Sequence, residues 1–159
     1  MKGLEQLAAD ATEVKAHFRL DSEALTRAAE MSVDGLFYTP LLALTILVIA
    51  RVKKPGLLTK DMATWTLGTL VKHFEALRLA RGRIQWSVLL RRRCADALVF
   101  LEDAGLAGVR EMPNRTIHLT VQGREFIGKV SRGSDEVGVL VRQLERAYRA
   151  VDQGGLELL

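Results

Sequence analysis

The chain has 159 residues, 48% of which are hydrophobic, and it carries a net formal charge of +4. This length and apolar content permit one domain with its own core plus helical additions, and the single cysteine, Cys94, excludes an internal disulfide. The sequence does not open with the basic, apolar and small-residue order of a signal peptide, so we expect a reducing cytoplasmic location.

The first 34 residues predict two helices. Leu4, Leu7, Ala11, Val14 and Phe18 recur at spacings of three and four, which places an apolar stripe on one face of a helix. A second, shorter helix is expected from Asp21 or Ser22 to about Met31. We assign residues 1–34 to N-terminal helices with a possible role in dimerisation.

An uncharged stretch, residues 35–50, is followed by the basic run RVKK. Its helical part after Pro40 is about half of the roughly 20 residues that a bilayer requires, so it predicts a buried central helix and no membrane span. Pro40 suits the first turn, where its missing N–H costs nothing, and Pro55-Gly56 ends the helix.

Two further helices are predicted in the middle of the chain. Thr59 is the expected N-cap of the first, with Asp61 in its first turn and an end near Ala80. Gly82 marks a turn, and a second helix follows from Ser87 to Ala104, stopped by Gly105. The second helix has an apolar stripe at helical spacing, made of Leu90, Cys94, Ala97, Leu98 and Leu101.

A hairpin and two more helices are predicted after Gly105. Pro113-Asn114 is typical of a turn, and residues 116–120 alternate polar and apolar side chains. Thr120 is expected to cap the next helix, and Ser134 the last one. The last helix bears an apolar stripe made of Val137, Leu140, Val141, Leu144, Tyr148 and Val151. Such a stripe either folds back on its own domain or forms a symmetric homodimer.

The positive charge is concentrated in the middle of the chain. Residues 51–96 contain 11 basic and 3 acidic residues, a net charge of +8, whereas residues 1–50 and 97–159 have net charges of −3 and −1. A basic cluster of this kind suits a polyphosphate partner such as nucleic acid. A solvated basic surface is the alternative.

Residues 59–130 resemble the winged helix-turn-helix of MarR-like and PadR-like bacterial regulators. The similarity lies in Leu101-Glu102, Gly105-Leu106, Arg110, Leu119-Thr120 and Gly123-Arg124. In those families a recognition helix ends in a leucine-glutamate pair, a two-stranded wing follows, and a Leu-Thr-x-x-Gly-Arg phrase starts the next helix. The expected fold is therefore mainly α with a small β-hairpin. It would have a winged-helix core at 35–130 and a C-terminal helix and tail at 131–159.

The resemblance implies that residues 87–104 enter the major groove of double-stranded DNA. Arg91 and Arg92 would contact bases or phosphates there, since arginine can bridge a guanine edge with two hydrogen bonds. The remaining expected contacts come from the approach to this helix and from the wing. The full set of candidate DNA-binding residues is Arg81, Arg83, Gln85, Ser87, Arg91, Arg92, Arg93 and Arg115. The alternative for the arginine run is a solvent face paired with Asp96 and Glu102.

The expected function is that of a dimeric transcriptional regulator that binds double-stranded DNA. The alternatives are a winged-helix protein-interaction module within a larger complex and a small-molecule sensor whose pocket is lined by the helix at 41–50. Neither nucleophile–base pairs nor metal-ligand spacings occur in the sequence, so we expect no enzyme, no metal and no cofactor. On the predicted buried stripe, Cys94 is expected to act as a small apolar residue.

Overall fold

The computed structural model describes residues 39–74 and 88–155. In these residues the protein is mainly helical, with five α-helices and a small antiparallel sheet of three strands. The elements are α1 (Thr39–Val52), β1 (Leu57–Leu58), a 3-10 turn (Thr59–Asp61), α2 (Met62–His73), α3 (Val88–Asp103), β2 (Ala107–Arg110), β3 (Thr116–Leu119), α4 (Val121–Arg132) and α5 (Glu136–Gly154). The predicted mainly-α class with a β-hairpin is confirmed. The two predicted N-terminal helices lie outside the described residues.

Helix α1 is the centre of the core. Every residue from Leu41 to Ile49 is buried, and the helix contacts α2, α3, α4, α5 and β3. A helix that is apolar all round must be covered on all sides, which explains why the other helices surround it. The buried Thr45 hydroxyl is satisfied locally, since it donates to the Leu41 carbonyl oxygen at 2.7 Å. No helix in the described part of the chain is long and apolar enough to cross a membrane.

The sheet contains one strand more than the predicted hairpin. Its order is β1-β3-β2, with Leu57 opposite Ile117 and Leu58 opposite Thr116. The predicted N-cap at Thr59 is wrong, because β-pairing continues to this residue: its N–H donates to the Arg115 carbonyl oxygen at 2.9 Å. The chain then makes one 3-10 turn, and α2 begins only at Met62.

Helix α5 packs against other helices of its own chain. Its apolar stripe packs against α1, α2 and α4, and Tyr148 meets Trp65 edge to face with ring centroids 5.7 Å apart. The predicted cap at Ser134 is wrong by one residue, since the Asp135 side chain accepts from the Gly138 N–H at 2.8 Å. Of the two roles that the sequence left open for this stripe, the structure has the intramolecular one.

Candidate nucleic-acid interface

Helix α3 has a buried side that fixes its orientation on the core. The five residues predicted for its apolar stripe are all buried, and the helix packs mainly against α1. Cys94 belongs to this stripe and is fully covered, and burial raises the pKa of its thiol to about 12. With one side held in this way, the opposite side of α3 must face outward.

The outward side of α3 carries the arginine run. Arg91, Arg92 and Arg93 are all exposed. At 100° per residue, Arg92 lies near the middle of the exposed face while Arg91 and Arg93 lie towards its two edges. The line through the middle of this face continues with Ala95 and Val99, the latter 54% exposed. The face therefore combines cations with apolar side chains.

The three arginines are not neutralised within the described part of the protein. None of them forms an ion pair or a hydrogen bond with another residue in 39–74 or 88–155, although Asp96 follows Arg92 at helical spacing. The alternative from the sequence, in which the run pairs with Asp96 and Glu102 along its own helix, therefore does not hold for these residues. Three unpaired guanidinium groups on one helix make a surface suited to phosphates and to base edges.

The charges on α3 are also not arranged to stabilise the helix itself. Carboxylates near the N-terminus and cations near the C-terminus each stabilise an exposed helix by about 0.3–1 kcal/mol. Along its described length α3 has the reverse order, with the arginines first and Glu102 and Asp103 in the last turn. The helix dipole therefore gives no reason for the arginines to be where they are.

The end of α3 positions the hairpin. Gly105 has a φ of 68°, its N–H donates to the Glu102 carbonyl oxygen, and the Leu106 N–H donates to that of Leu101, both at 2.9 Å. These two bonds form a Schellman motif, in which a left-handed glycine ends the helix. Leu106 is then buried beside Leu101. The predicted stop at Gly105 is confirmed, and the hairpin leaves α3 in a fixed direction.

The start of α4 holds the hairpin from the other side. The Thr120 hydroxyl accepts from the Gly123 N–H at 2.9 Å and donates to the Gly105 carbonyl oxygen at 2.6 Å, so one side chain ties both helix ends together. The predicted cap at Thr120 is confirmed. Arg124 adds a bond from its guanidinium to the Leu119 carbonyl oxygen at 2.9 Å. The β2–β3 hairpin is therefore anchored at its base while its turn projects.

Arg115 lies in the exposed turn of the hairpin, as predicted, but it has an intramolecular partner. Its Nε is 3.0 Å from Glu111 Oε2, and both side chains are 65% exposed. An ion pair this exposed contributes about 0–1 kcal/mol, so a phosphate can replace the carboxylate at little cost. The other four predicted contacts, Arg81, Arg83, Gln85 and Ser87, lie outside the described residues.

A second group of basic residues was not predicted as part of a site. Arg51, Lys53 and Lys54 at the end of α1 meet Arg110 from β2 and Arg124 from α4 around a cavity of about 220 Å³. The run RVKK was visible in the sequence, but Arg110 and Arg124 are brought to it only by the pairing of the strands. We call this group the second basic cluster.

Comparison with protein-family models, with curated proteins and with solved structures gives no match to this chain.

Proposed function

We propose that the protein is a winged-helix DNA-binding protein that acts as a transcriptional regulator in the cytoplasm. The described elements follow the order helix, strand, helix, then helix, strand, strand, which is the order expected for this fold. In the proposal α3 is the recognition helix and the β2–β3 hairpin is the wing. The strand β1, which pairs with β3, supports this assignment because it ties the hairpin to the core.

The observation that carries the proposal is the exposed face of α3. Its three arginines have no partner among the described residues, while its opposite side is fully buried. Arg91 and Arg92 would contact the major groove, and the exposed Ala95 and Val99 suit the methyl group of thymine. The Arg115 side chain would leave Glu111 and bind a backbone phosphate or enter the minor groove.

The sequence-predicted residues before α3 complete the proposed interface. Gln85 and Ser87 would lie near the groove edge, and Arg81 and Arg83 would bind phosphates. The proposed dimer uses the N-terminal amphipathic helix predicted from the sequence, since the stripe of α5 is already buried within the subunit. Two recognition helices related by a twofold axis would read an inverted repeat.

The test is a double alanine variant at Arg91 and Arg92, assayed by fluorescence anisotropy on duplexes selected from a random pool. Loss of one or two good base contacts should weaken binding by about 10- to 100-fold. Loss of phosphate contacts should reduce the slope of log affinity against log salt by about 1 for each contact. An inverted repeat among the selected duplexes, together with a mass measurement of the free protein, would establish the dimer.

The matched control removes the same charge from elsewhere. Arg132 and Arg146 are exposed on α4 and α5, so their double alanine variant changes net charge equally without touching α3. The proposal fails if both double variants bind duplex as the unsubstituted protein does, or if they lose affinity to the same extent.

The second candidate function is a protein-interaction module. It is favoured by large apolar side chains on the same outward side of α3, where Val88 is 79% and Val99 is 54% exposed. Salt separates the two functions: duplex affinity should fall by orders of magnitude over a modest rise in salt, whereas an apolar protein interface should change little.

A further inference from the structure

The second basic cluster surrounds a cavity that the proposed DNA contacts do not use. The cavity, about 220 Å³ in volume, lies between the C-terminal end of α1, the turn into β1, the outer face of β3 and the start of α4. Its basic lining consists of Arg51, Lys53, Lys54, Arg110 and Arg124, together with His118. None of the described residues that line the cavity is acidic. A concave surface lined by one sign of charge concentrates the field that it produces.

The alternation of side chains along β2 and β3 places part of this lining on one face of the strand pair. Arg110 is opposite Thr116, and Gly108 is opposite His118, so these positions share one face of the β2–β3 pair. Ile117 and Leu119 alternate to the other face and are buried in the core. A Cβ atom added at Gly108 would lie 3.1 Å from Cε1 and 3.3 Å from Nε2 of His118, so the glycine leaves room for the imidazole ring beside it.

Most of these cations have no carboxylate partner among the residues that the structure describes. Arg51 donates to the Ser131 hydroxyl at 3.2 Å, and Arg124 donates to the Leu119 carbonyl oxygen at 2.9 Å. Both acceptors are neutral, so these bonds orient the guanidinium groups and leave donors free for another ligand. Ser131 is itself fixed by donating to the Gly128 carbonyl oxygen at 3.0 Å.

The other three cations differ in their partners. Lys53 is partly neutralised, with its Nζ 3.6 Å from Asp152 and 3.7 Å from the centroid of the Trp65 ring. Lys54 and Arg110 are exposed and form no ion pair within the described residues. Four of the five cations therefore line the cavity without a carboxylate partner from residues 39–74 or 88–155.

Helix capping explains only one member of the cluster. Arg51 lies in the last turn of α1, where a cation interacts favourably with the helix dipole. Neither Arg110, in β2, nor Arg124, near the start of α4, lies at the C-terminal end of a helix. Like charges gathered in one concavity repel each other, and a multivalent anion would remove this repulsion.

We propose that this cavity binds the diphosphate group of a free small molecule. Phosphate oxygens accept several charge-assisted hydrogen bonds at once, which matches arginine and lysine donors converging from different elements. The cavity is smaller than the roughly 300–1,000 Å³ that is usual for whole drug-sized ligands. It therefore suits a compact anionic group, with the rest of the ligand outside.

Titration with sodium pyrophosphate tests the proposal, by isothermal calorimetry at constant ionic strength. The unsubstituted protein should bind one equivalent. Lys54 and Arg110 have no ion-pair partner to lose in the described part of the chain. Alanine at both positions should raise the Kd at least about tenfold, as expected when charge-assisted contacts are removed. Alanine at Lys60 and Lys129, which are exposed and outside the cavity, changes the charge equally and should alter the Kd less than about twofold.

Three results would overturn the proposal. One is the absence of binding at pyrophosphate concentrations up to about 10 mM, well above a weak Kd of about 1 mM. Another is an equal loss in the two double variants, which would indicate general charge attraction. The last is a Lys54–Arg110 variant that binds duplex DNA more weakly but has an unchanged Kd for pyrophosphate, which would make the cavity a contact for the DNA backbone.

The proposal does not depend on DNA binding. Alanine at Arg91 and Arg92 should leave the Kd for pyrophosphate unchanged. If the protein bound pyrophosphate but no duplex, the DNA proposal would be refuted and the pyrophosphate proposal would stand.

Discussion

Alanine at Gly123 should loosen the attachment of the hairpin to α4. A Cβ atom added there would overlap the carbonyl oxygen of Leu106 and lie 2.8 Å from its carbonyl carbon and 3.2 Å from its Cα. These are backbone atoms, and the same oxygen accepts the Thr120 N–H at 3.1 Å. The two segments would have to separate by a distance on the order of 1 Å to reach ordinary contact.

The magnitude follows from two opposing effects. Helix propensity alone favours alanine over glycine by about 1 kcal/mol. Overpacking of a closely packed site costs about 1–3 kcal/mol and occasionally more, and here no flexible side chain can move aside. Because the clash is with backbone atoms, we take the upper end of that cost, about 3 kcal/mol. After the gain of about 1 kcal/mol in helix propensity, the free energy of unfolding should fall by about 2 kcal/mol, measured by urea denaturation followed by circular dichroism.

Gly128, five residues later in the same helix, is the matched control. A Cβ added there meets no atom within 4 Å, so alanine should stabilise the protein by about 0.5–1 kcal/mol through propensity alone. If the Gly123 variant proved as stable as the Gly128 variant, the close packing of the Leu106 carbonyl against α4 would be disproved.

Further predictions concern caps and the buried thiol. Valine at Thr120 removes the hydroxyl that caps α4 and should lower the free energy of unfolding by about 1–2 kcal/mol in the same urea assay. Alanine at Asp135 should cost about 1 kcal/mol, whereas alanine at the exposed Ser134 should change stability by less than about 0.5 kcal/mol; the reverse ranking would restore Ser134 as the cap. Burial raises the pKa of the Cys94 thiol from 9.0 to about 12, so alkylation at pH 8 should be about 1,000-fold slower in the native protein than in urea. Only the unfolded chain ionises this thiol readily, so its contribution to stability is full below pH 9 and is lost as pH rises from 9 towards 12. Equal alkylation rates in the native protein and in urea would show that Cys94 is accessible.

Several features were predictable because their causes are local. The apolar spacing of Leu90, Cys94 and Leu101 identified the buried side of α3, since helical periodicity places such residues on one face. Gly105 and Thr120 were recognisable because one needs a left-handed backbone and the other is a strong N-cap. The unbroken apolar run in α1 indicated a helix covered on all sides.

Other features had no local cause. Strand β1 has two residues, too few for a periodic pattern, and it exists because β3 supplies its hydrogen bonds. The cap of α5 is Asp135 and not the predicted Ser134. Both residue types can cap a helix, and only the packing of the chain selects between them. The apolar stripe of α5 predicted that one face of this helix would be buried, but it did not identify the surface that covers this face.

The sequence by itself determined which side of a helix such as α3 is buried, where α3 ends and where α4 begins. These features depend on residues that are close together along the chain. The tertiary structure alone decided that the stripe of α5 is buried against other helices of the same chain. It also decided that Lys54, Arg110 and Arg124 share one cavity, since strand register brings together side chains that are up to 70 positions apart. Long-range pairing of this kind depends on which surfaces fit when the whole core closes, and no short segment encodes it.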